Sequence, residues 1–222
     1  MTRTDVQKLY SVVGGRWWDP FRAQWELIWA RGAVRDLDSL LRRYVTPEAR
    51  VLDVGCGSGA NLARLRRLGL PFGHYTGVDF SPSMLALARK RFGDLPDVTF
   101  RQGDATALED TGERYDVIVA TWLLDHLSEP AAFVNGVQRF LETDGHLLLL
   151  FYSRPRWFLR FWISPLGRIV RAVPVSEREV SRFSGVRAKK TYSAGVVTLI
   201  DIGALGGTDE AGSAEPGLGA EA

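Results

Sequence analysis

The stretch Val51-Leu52-Asp53-Val54-Gly55-Cys56-Gly57-Ser58-Gly59 sets three glycines at alternate positions behind an apolar run. Glycines at that spacing let a chain turn sharply from a strand into a helix and approach a ligand closely. The helix that follows offers backbone N–H groups to a polar or anionic group. Asp79 ends the next apolar run, where a carboxylate can accept hydrogen bonds from a ribose diol. The loop also fits the dinucleotide pattern as Gly55-x-Gly57-x-x-Ala60, so a nicotinamide-dependent oxidoreductase is one reading of it.

The elements that must hold these residues alternate. Arg50–Val54 reads as a short buried strand and Ser58–Leu68 as a helix with Leu62, Leu65 and Leu68 on one face. Tyr75–Asp79 is a strand. Ser81–Phe92 is a helix with Ser81 as N-cap and Pro82 at its first position. Val98–Gly103 is a strand, and Tyr115–Thr121 is a near-continuous apolar strand of the kind covered on both faces. Pro130–Leu141 reads as a helix and His146–Tyr152 as another buried strand. Arg187–Tyr192 and Val196–Ile202 flank Ser193-Ala194-Gly195, a hairpin signal that makes the last strand antiparallel. Helices are expected between Pro20 and Tyr44. Repeated βα units predict an α/β fold, a doubly wound parallel sheet with helices on both faces.

Composition narrows the classes. The 222 residues carry 28 Lys plus Arg against 26 Asp plus Glu, with 45% hydrophobic and 24% charged residues, an ordinary globular balance. The single cysteine, Cys56, forms no internal disulfide and no cysteine-based metal site; no metal is expected. No apolar run approaches the roughly 20 residues that span a bilayer, so a cytoplasmic protein is expected. Residues 203–222 hold four acids, no bases and no aromatics, and read as a disordered acidic tail. Between Arg154 and Lys190 there are ten bases and two acids.

Four segments, in order, resemble those of class I S-adenosylmethionine-dependent methyltransferases. Asp53-x-Gly55-x-Gly57-x-Gly59 is similar to the first motif. Gly77-Val78-Asp79-Phe80-Ser81-Pro82-x-Met84-Leu85 is similar to the second, Gln102-Gly103-Asp104-Ala105 to the third, and Tyr115–Trp122 followed by Leu124-x-His126-Leu127 to the fourth. The resemblance implies a Rossmann-like seven-stranded sheet with an antiparallel last strand, and S-adenosylmethionine as cofactor. It implies cofactor contacts at Asp53, Gly55, Gly57, Gly59, Asp79, Phe80, Met84, Asp104, Ala105 and Thr121. Asp79 would take the ribose, Phe80 and Met84 the adenine faces, and Asp104 the adenine amine. Asp53 can face the cationic amino group of the methionine part. Asp53 and Asp104 together weigh against a nicotinamide enzyme, which needs neither.

Methyl transfer is a displacement at a sulfonium carbon, so the protein chiefly aligns a nucleophile and excludes water. A base is required only when the acceptor has a proton to lose; no catalytic residue is fixed by the sequence, and the candidates for a catalytic role are Tyr10, Trp17 and His126. Tyr10, Trp17, Trp18, Trp122, Arg154 and Arg156 are expected to line the acceptor side or a lid. Phe21, Trp25 and Trp29 instead form one helical stripe suited to packing on the core. The expected organisation is a methyltransferase domain over residues 1–202, with a helical arm at 1–49, a basic-aromatic insertion at 153–175, and the tail at 203–222. The layout is similar to quinone C-methyltransferases and bacterial phosphatidylethanolamine N-methyltransferases. The expected acceptor is therefore a small molecule, lipid-like or quinone-like, with peripheral contact to the inner face of an anionic membrane. An RNA methyltransferase is disfavoured because no RNA-binding module accompanies the domain. A non-catalytic cofactor-binding protein is the remaining alternative.

Overall fold

The computed structural model describes residues 19–157 and 172–205. Tyr10, Trp17, Trp18, residues 158–171 of the basic-aromatic insertion, and residues 206–222 of the tail lie outside the described residues.

Seven strands form one sheet: β1 (Arg50–Val54), β2 (His74–Asp79), β3 (Val98–Gln102), β4 (Tyr115–Thr121), β5 (Leu141–Tyr152), β6 (Val186–Tyr192) and β7 (Val197–Gly203). Their order across the sheet is β3-β2-β1-β4-β5-β7-β6. Strands β1 to β5 pair in parallel, and β7 runs antiparallel to both β5 and β6. The order reverses between β1 and β4, which opens a crevice at their carboxyl ends, where open α/β sheets bind ligands.

Leu147–Leu150 of β5 are fully buried, as are Val117, Ile118 and Ala120 of β4. Both faces of these central strands are therefore covered. One face carries the described part of the first helix, α1 (residues 19–29), together with α2 (Arg31–Tyr44) and α3 (Ala60–Arg67). The other carries α5 (Pro130–Val137) and α6 (Glu177–Val180). Helix α4 (Pro82–Phe92) packs beside β2 and β3. Each buried leucine contributes about 2 kcal/mol of burial.

Local chemistry explains the ends. The Ser81 hydroxyl accepts from the Met84 N–H at 3.4 Å, with Pro82 at the first helical position, as the sequence predicts. Helix α3 begins at Ala60 rather than Ser58, because Gly59 before it holds the left-handed conformation at φ 84°. Helix α5 stops at Val137 and tightens into a 3-10 turn, Gln138–Phe140. Strand β5 then starts at Leu141, earlier than its apolar pattern indicates, because Leu141 pairs with Tyr115 across a register shift. The three exposed residues 142–144 hide that start from a periodicity reading.

Helix α2 buries Ala33, Leu37, Leu40 and Leu41, an apolar stripe at helical spacing. Polar ties fix it on the sheet. Tyr44 donates to Asp201 at 3.0 Å and stacks on His146 with ring centroids 3.5 Å apart. Asp36 accepts from Lys190 at 3.0 Å and Tyr192 at 2.8 Å.

Candidate functional site

The glycine loop folds back on β2. Gly55 N–H and Cys56 N–H both donate to the Val78 carbonyl, at 2.8 and 3.1 Å. Gly57 sits at φ +53°, and a Cβ there would meet the Met84 Cε at 3.2 Å, so a side chain would both strain the turn and fill the crevice. The Asp79 carboxylate accepts from Gly57 N–H at 2.9 Å and Ser81 N–H at 2.8 Å, which fixes its plane. Burial raises the Asp79 pKa, and the two backbone donors partly offset that.

A cleft opens at the carboxyl ends of β1, β2 and β4. Its wall includes Gly55, Gly57, Asp79, Phe80, Met84, Ala105, Thr121, Trp122 and His126. Nine of the residues singled out from the sequence thus meet in one crevice. It holds about 760 Å³ of unfilled space, part of it open to solvent.

Three candidate cofactor residues stand behind this wall. Asp53 is fully buried; its carboxylate accepts from Asn61 Nδ2 at 3.0 Å and from the Tyr75 hydroxyl. Burial pushes its pKa up to about 6, against the pull of those two donors. It reaches the cleft only through Asn61, which lines the crevice and also donates to Thr121 at 3.0 Å. Gly59 packs against Phe92, where a Cβ would approach the ring to 2.8 Å. Asp104 caps the 3-10 turn Ala105–Ala107 by accepting from Thr106 N–H at 3.0 Å, and faces a neighbouring cavity with Gln102 and Thr111. Arg154 and Arg156 are exposed and lie away from the described cleft wall. Cys56 lines the cleft, and burial raises its thiol pKa well above the ordinary value, which suppresses nucleophilic thiolate.

The fourth side of the cleft comes from α1. Asp19 accepts from the Ser58 hydroxyl at 2.8 and 2.9 Å and pairs with Arg91 at 3.3 Å, joining the arm to the glycine loop. Two turns further in, Glu26 accepts from Arg22 at 2.7 Å, Arg64 at 3.2 Å and the Trp122 indole N–H at 3.0 Å. Burial alone would raise the Glu26 pKa, but the two guanidiniums and the indole hold it below the carboxylate range. Arg64 in turn donates to Asn61 Oδ1 at 3.0 Å, which fixes the amide that reaches Asp53. Trp122 adopts φ +57°, a strained conformation for a bulky residue. Its N–H bond to Leu150 O at 2.7 Å and its bond to Glu26 hold it there.

Sequence reasoning passed over Arg22, Glu26, Asn61 and Arg64. They carry no motif, and Glu26 meets Arg64 and Trp122 only across 38 and 96 residues. The Phe21-Trp25-Trp29 stripe behaves as expected: Trp25 and Trp29 pack on the core, and Trp25 meets Tyr152 edge-on at 5.8 Å. His126 is buried beside Asp125, with Nε2 3.6 Å from the carboxylate. Burial raises the Asp125 pKa, and the His126 charge opposes the rise.

The comparisons with known proteins agree with this geometry. Residues 51–145 match the model of a methyltransferase domain. The chain is 30% identical over 185 residues to the ubiquinone biosynthesis O-methyltransferase of Xylella fastidiosa (strain M23), covering 82% of this chain and 72% of that one. The counterpart in Alkalilimnicola ehrlichii is 30% identical over 183 residues, covering 78% and 70%. The putative methyltransferase crystallised with the Haloferax volcanii Trm112 activator shares the fold, with a TM-score of 0.70, 18% identity, and coverage of 90% and 98%. Magnesium protoporphyrin IX methyltransferase from Synechocystis PCC 6803, solved with bound S-adenosylhomocysteine, gives 0.66 at 16% identity, covering 92% and 100%. The chain belongs to the class I S-adenosylmethionine-dependent methyltransferases, and its cofactor is S-adenosylmethionine. The residues present fit that group: the Gly57 turn leaves a cradle that a Cβ would fill, and Asp79 is buried, oriented and at the cleft wall.

Proposed function

We propose that this methyltransferase acts on a hydroxyl of a small, quinol-like aromatic acceptor. The 30% identity to ubiquinone biosynthesis O-methyltransferases, extending over 82% of this chain, carries that reading. Asp79 would hold the ribose diol, Phe80 and Met84 would flank the adenine, and the Gly55–Gly57 turn would let the backbone approach the cofactor closely. Asp104 would accept from the adenine amine out of the neighbouring cavity, which shares Val78 and Gly103 with the cleft. Asp53 acts through Asn61, placing negative charge behind the point where a cationic amino group sits. Bound S-adenosylmethionine supplies the electrophilic methyl group.

His126 is the base. It lines the cleft next to Leu123 and Trp122, and it takes the hydroxyl proton as the acceptor oxygen becomes nucleophilic. The Asp125 carboxylate beside Nε2 stabilises the resulting imidazolium. Trp122 and α1 close the acceptor side and exclude water.

A lipid-like acceptor suits the rim. Leu27, Ile28 and Trp157 are exposed by 67%, 66% and 76%. The arm and the segment after β5 meet on the β6–β7 turn, where Ser193 Oγ donates to Trp29 O at 2.6 Å and Arg156 N–H donates to Ala194 O at 3.0 Å. With the exposed Arg154 and Arg156 next to Trp157 in the chain, this surface outside the cleft fits an anionic membrane surface on the cytoplasmic side. No helix among the described residues is long and apolar enough to cross a membrane.

The test is radiolabelled methyl transfer to a panel of catechol, hydroxyquinol, amine and RNA acceptors, alone and on vesicles containing anionic lipid. We expect an O-methylated aromatic product, with faster turnover on vesicles at low salt. His126→Gln should cut kcat by about a hundredfold or more while S-adenosylhomocysteine still binds. Methylation confined to amines or RNA would overturn the acceptor assignment.

A further inference from the structure

Arg22 enters the cleft wall from α1, alongside Ser58, Asn61, Trp122 and His126. Its Nη1 donates to Glu26 Oε1 at 2.7 Å. Its Nε is buried and finds no hydrogen-bond partner among the described residues. A guanidinium N–H left dry and unpaired is costly, because it has lost water and gained nothing in return.

The local charge has the matching imbalance. Glu26 and Asp38 are shared among Arg22, Arg64 and Arg67, with contacts from 2.7 to 3.3 Å. Two carboxylates thus face three guanidiniums, which leaves one positive charge in excess. Arg22 is the member that reaches the cleft. On the same helix, three residues before Arg22, Asp19 is already taken by Ser58 and Arg91.

We propose that Arg22 is a specificity-determining residue that selects acceptors carrying a carboxylate on the aromatic ring; this rests on the O-methyl-transfer reading above. The orphaned Nε and the excess charge are what such a group satisfies, since arginine pairs with planar carboxylates through parallel N–H donors. The cofactor also has a carboxylate. The first turn of α3 would hold that one, since Ala60 and Asn61 line the cleft there and helix-start N–H groups can take an anion. Arg22 sits instead on the arm, on the side of Trp122 and His126.

Two probes of one shape test this: 3,4-dihydroxybenzoate and its neutral isostere 3,4-dihydroxybenzamide. Binding of each is measured by calorimetry to protein saturated with S-adenosylhomocysteine, beside the affinity of S-adenosylhomocysteine itself. Wild-type protein should favour the benzoate by about tenfold to a hundredfold, the worth of a buried charge-assisted bond. Arg22→Gln, which keeps a donor for Glu26, should erase that preference while S-adenosylhomocysteine affinity stays within about twofold. Arg22→Lys should restore part of it, because the charge returns without the Nε geometry. Equal affinity of wild-type protein for the two probes, or a preference that survives Arg22→Gln, overturns the proposal and leaves Arg22 as a strut for Glu26. Loss of S-adenosylhomocysteine affinity in Arg22→Gln overturns it differently, since the carboxylate held would then be the cofactor's. Failure of the methyl-transfer reading would show separately, as wild-type protein that does not bind S-adenosylhomocysteine.

Discussion

The two sides of the cleft are built in different ways. On the cofactor side, contacts stay within two neighbouring βα turns: Asp79 takes the N–H of Ser81 two residues on and that of Gly57, 22 residues back in the adjoining turn. On the acceptor side, contacts span the chain: Glu26 joins Trp122 across 96 residues and Ser193 holds Trp29 across 164. The first side is held by backbone donors, which any sequence with the right turn supplies. The second is held by charged and indole side chains, each specific to its position. Such a division lets an acceptor site vary while the cofactor site keeps its form.

The largest expected effect sharpens this contrast. Asp79→Ala removes two acceptors for the ribose diol, each bond worth roughly 1–3 kcal/mol when its partner is left unpaired. Affinity for S-adenosylhomocysteine should fall about a hundredfold with cooperative unfolding retained, as read by calorimetry and thermal melting.

Next, Glu26→Ala should disturb chiefly the acceptor side. Arg64 is only 6% exposed and would lose one carboxylate, though it keeps Asp38. We expect about 2 kcal/mol of lost stability, a melting temperature lower by roughly 5 °C, and easier proteolysis of α1. S-adenosylhomocysteine affinity should move much less than in Asp79→Ala; an equal loss would break the comparison.

The third effect links pH to the buried relay. Asp53 titrates at about 6 because burial disfavours its charge. A cationic amino group bound beyond Asn61 favours the ionised form, so binding displaces the proton and acid opposes binding. Affinity for S-adenosylhomocysteine should weaken about tenfold between pH 6.5 and 5, and the dependence should flatten in Asp53→Asn.

The smallest effect is a control at the sheet's lower edge. Glu113 accepts from Arg101 at 2.7 and 3.2 Å, which chiefly holds its pKa down at about 2. Its stabilisation is present above the ordinary carboxylate pKa and is lost as pH falls through the folded value. Glu113→Gln should therefore cost about 1 kcal/mol or less at pH 7, since the pair is partly exposed. The difference from wild type should fade between pH 4.5 and 2. Binding of S-adenosylhomocysteine should be unaffected.

The sequence by itself determined the strand order of types, the glycine turn, the Ser81 cap and the antiparallel final strand. Each depends on residues close together in the chain, where apolar period, φ preference and capping act locally. Asp79 and His126 were legible for the same reason, because strand ends present their next residues to the crevice. Tertiary structure alone decided that Asp53 stands behind Asn61 rather than at the cleft wall, because burial against Tyr75 is a property of the packed sheet. It also decided that Arg22 lines the cleft, that Glu26 braces Trp122 beside it, and that Trp122 takes a left-handed turn. Periodicity places Arg22 and Glu26 on an ordinary polar helix face. Only the docking of that helix against Arg64 and Trp122 removes their water and makes their charges specific.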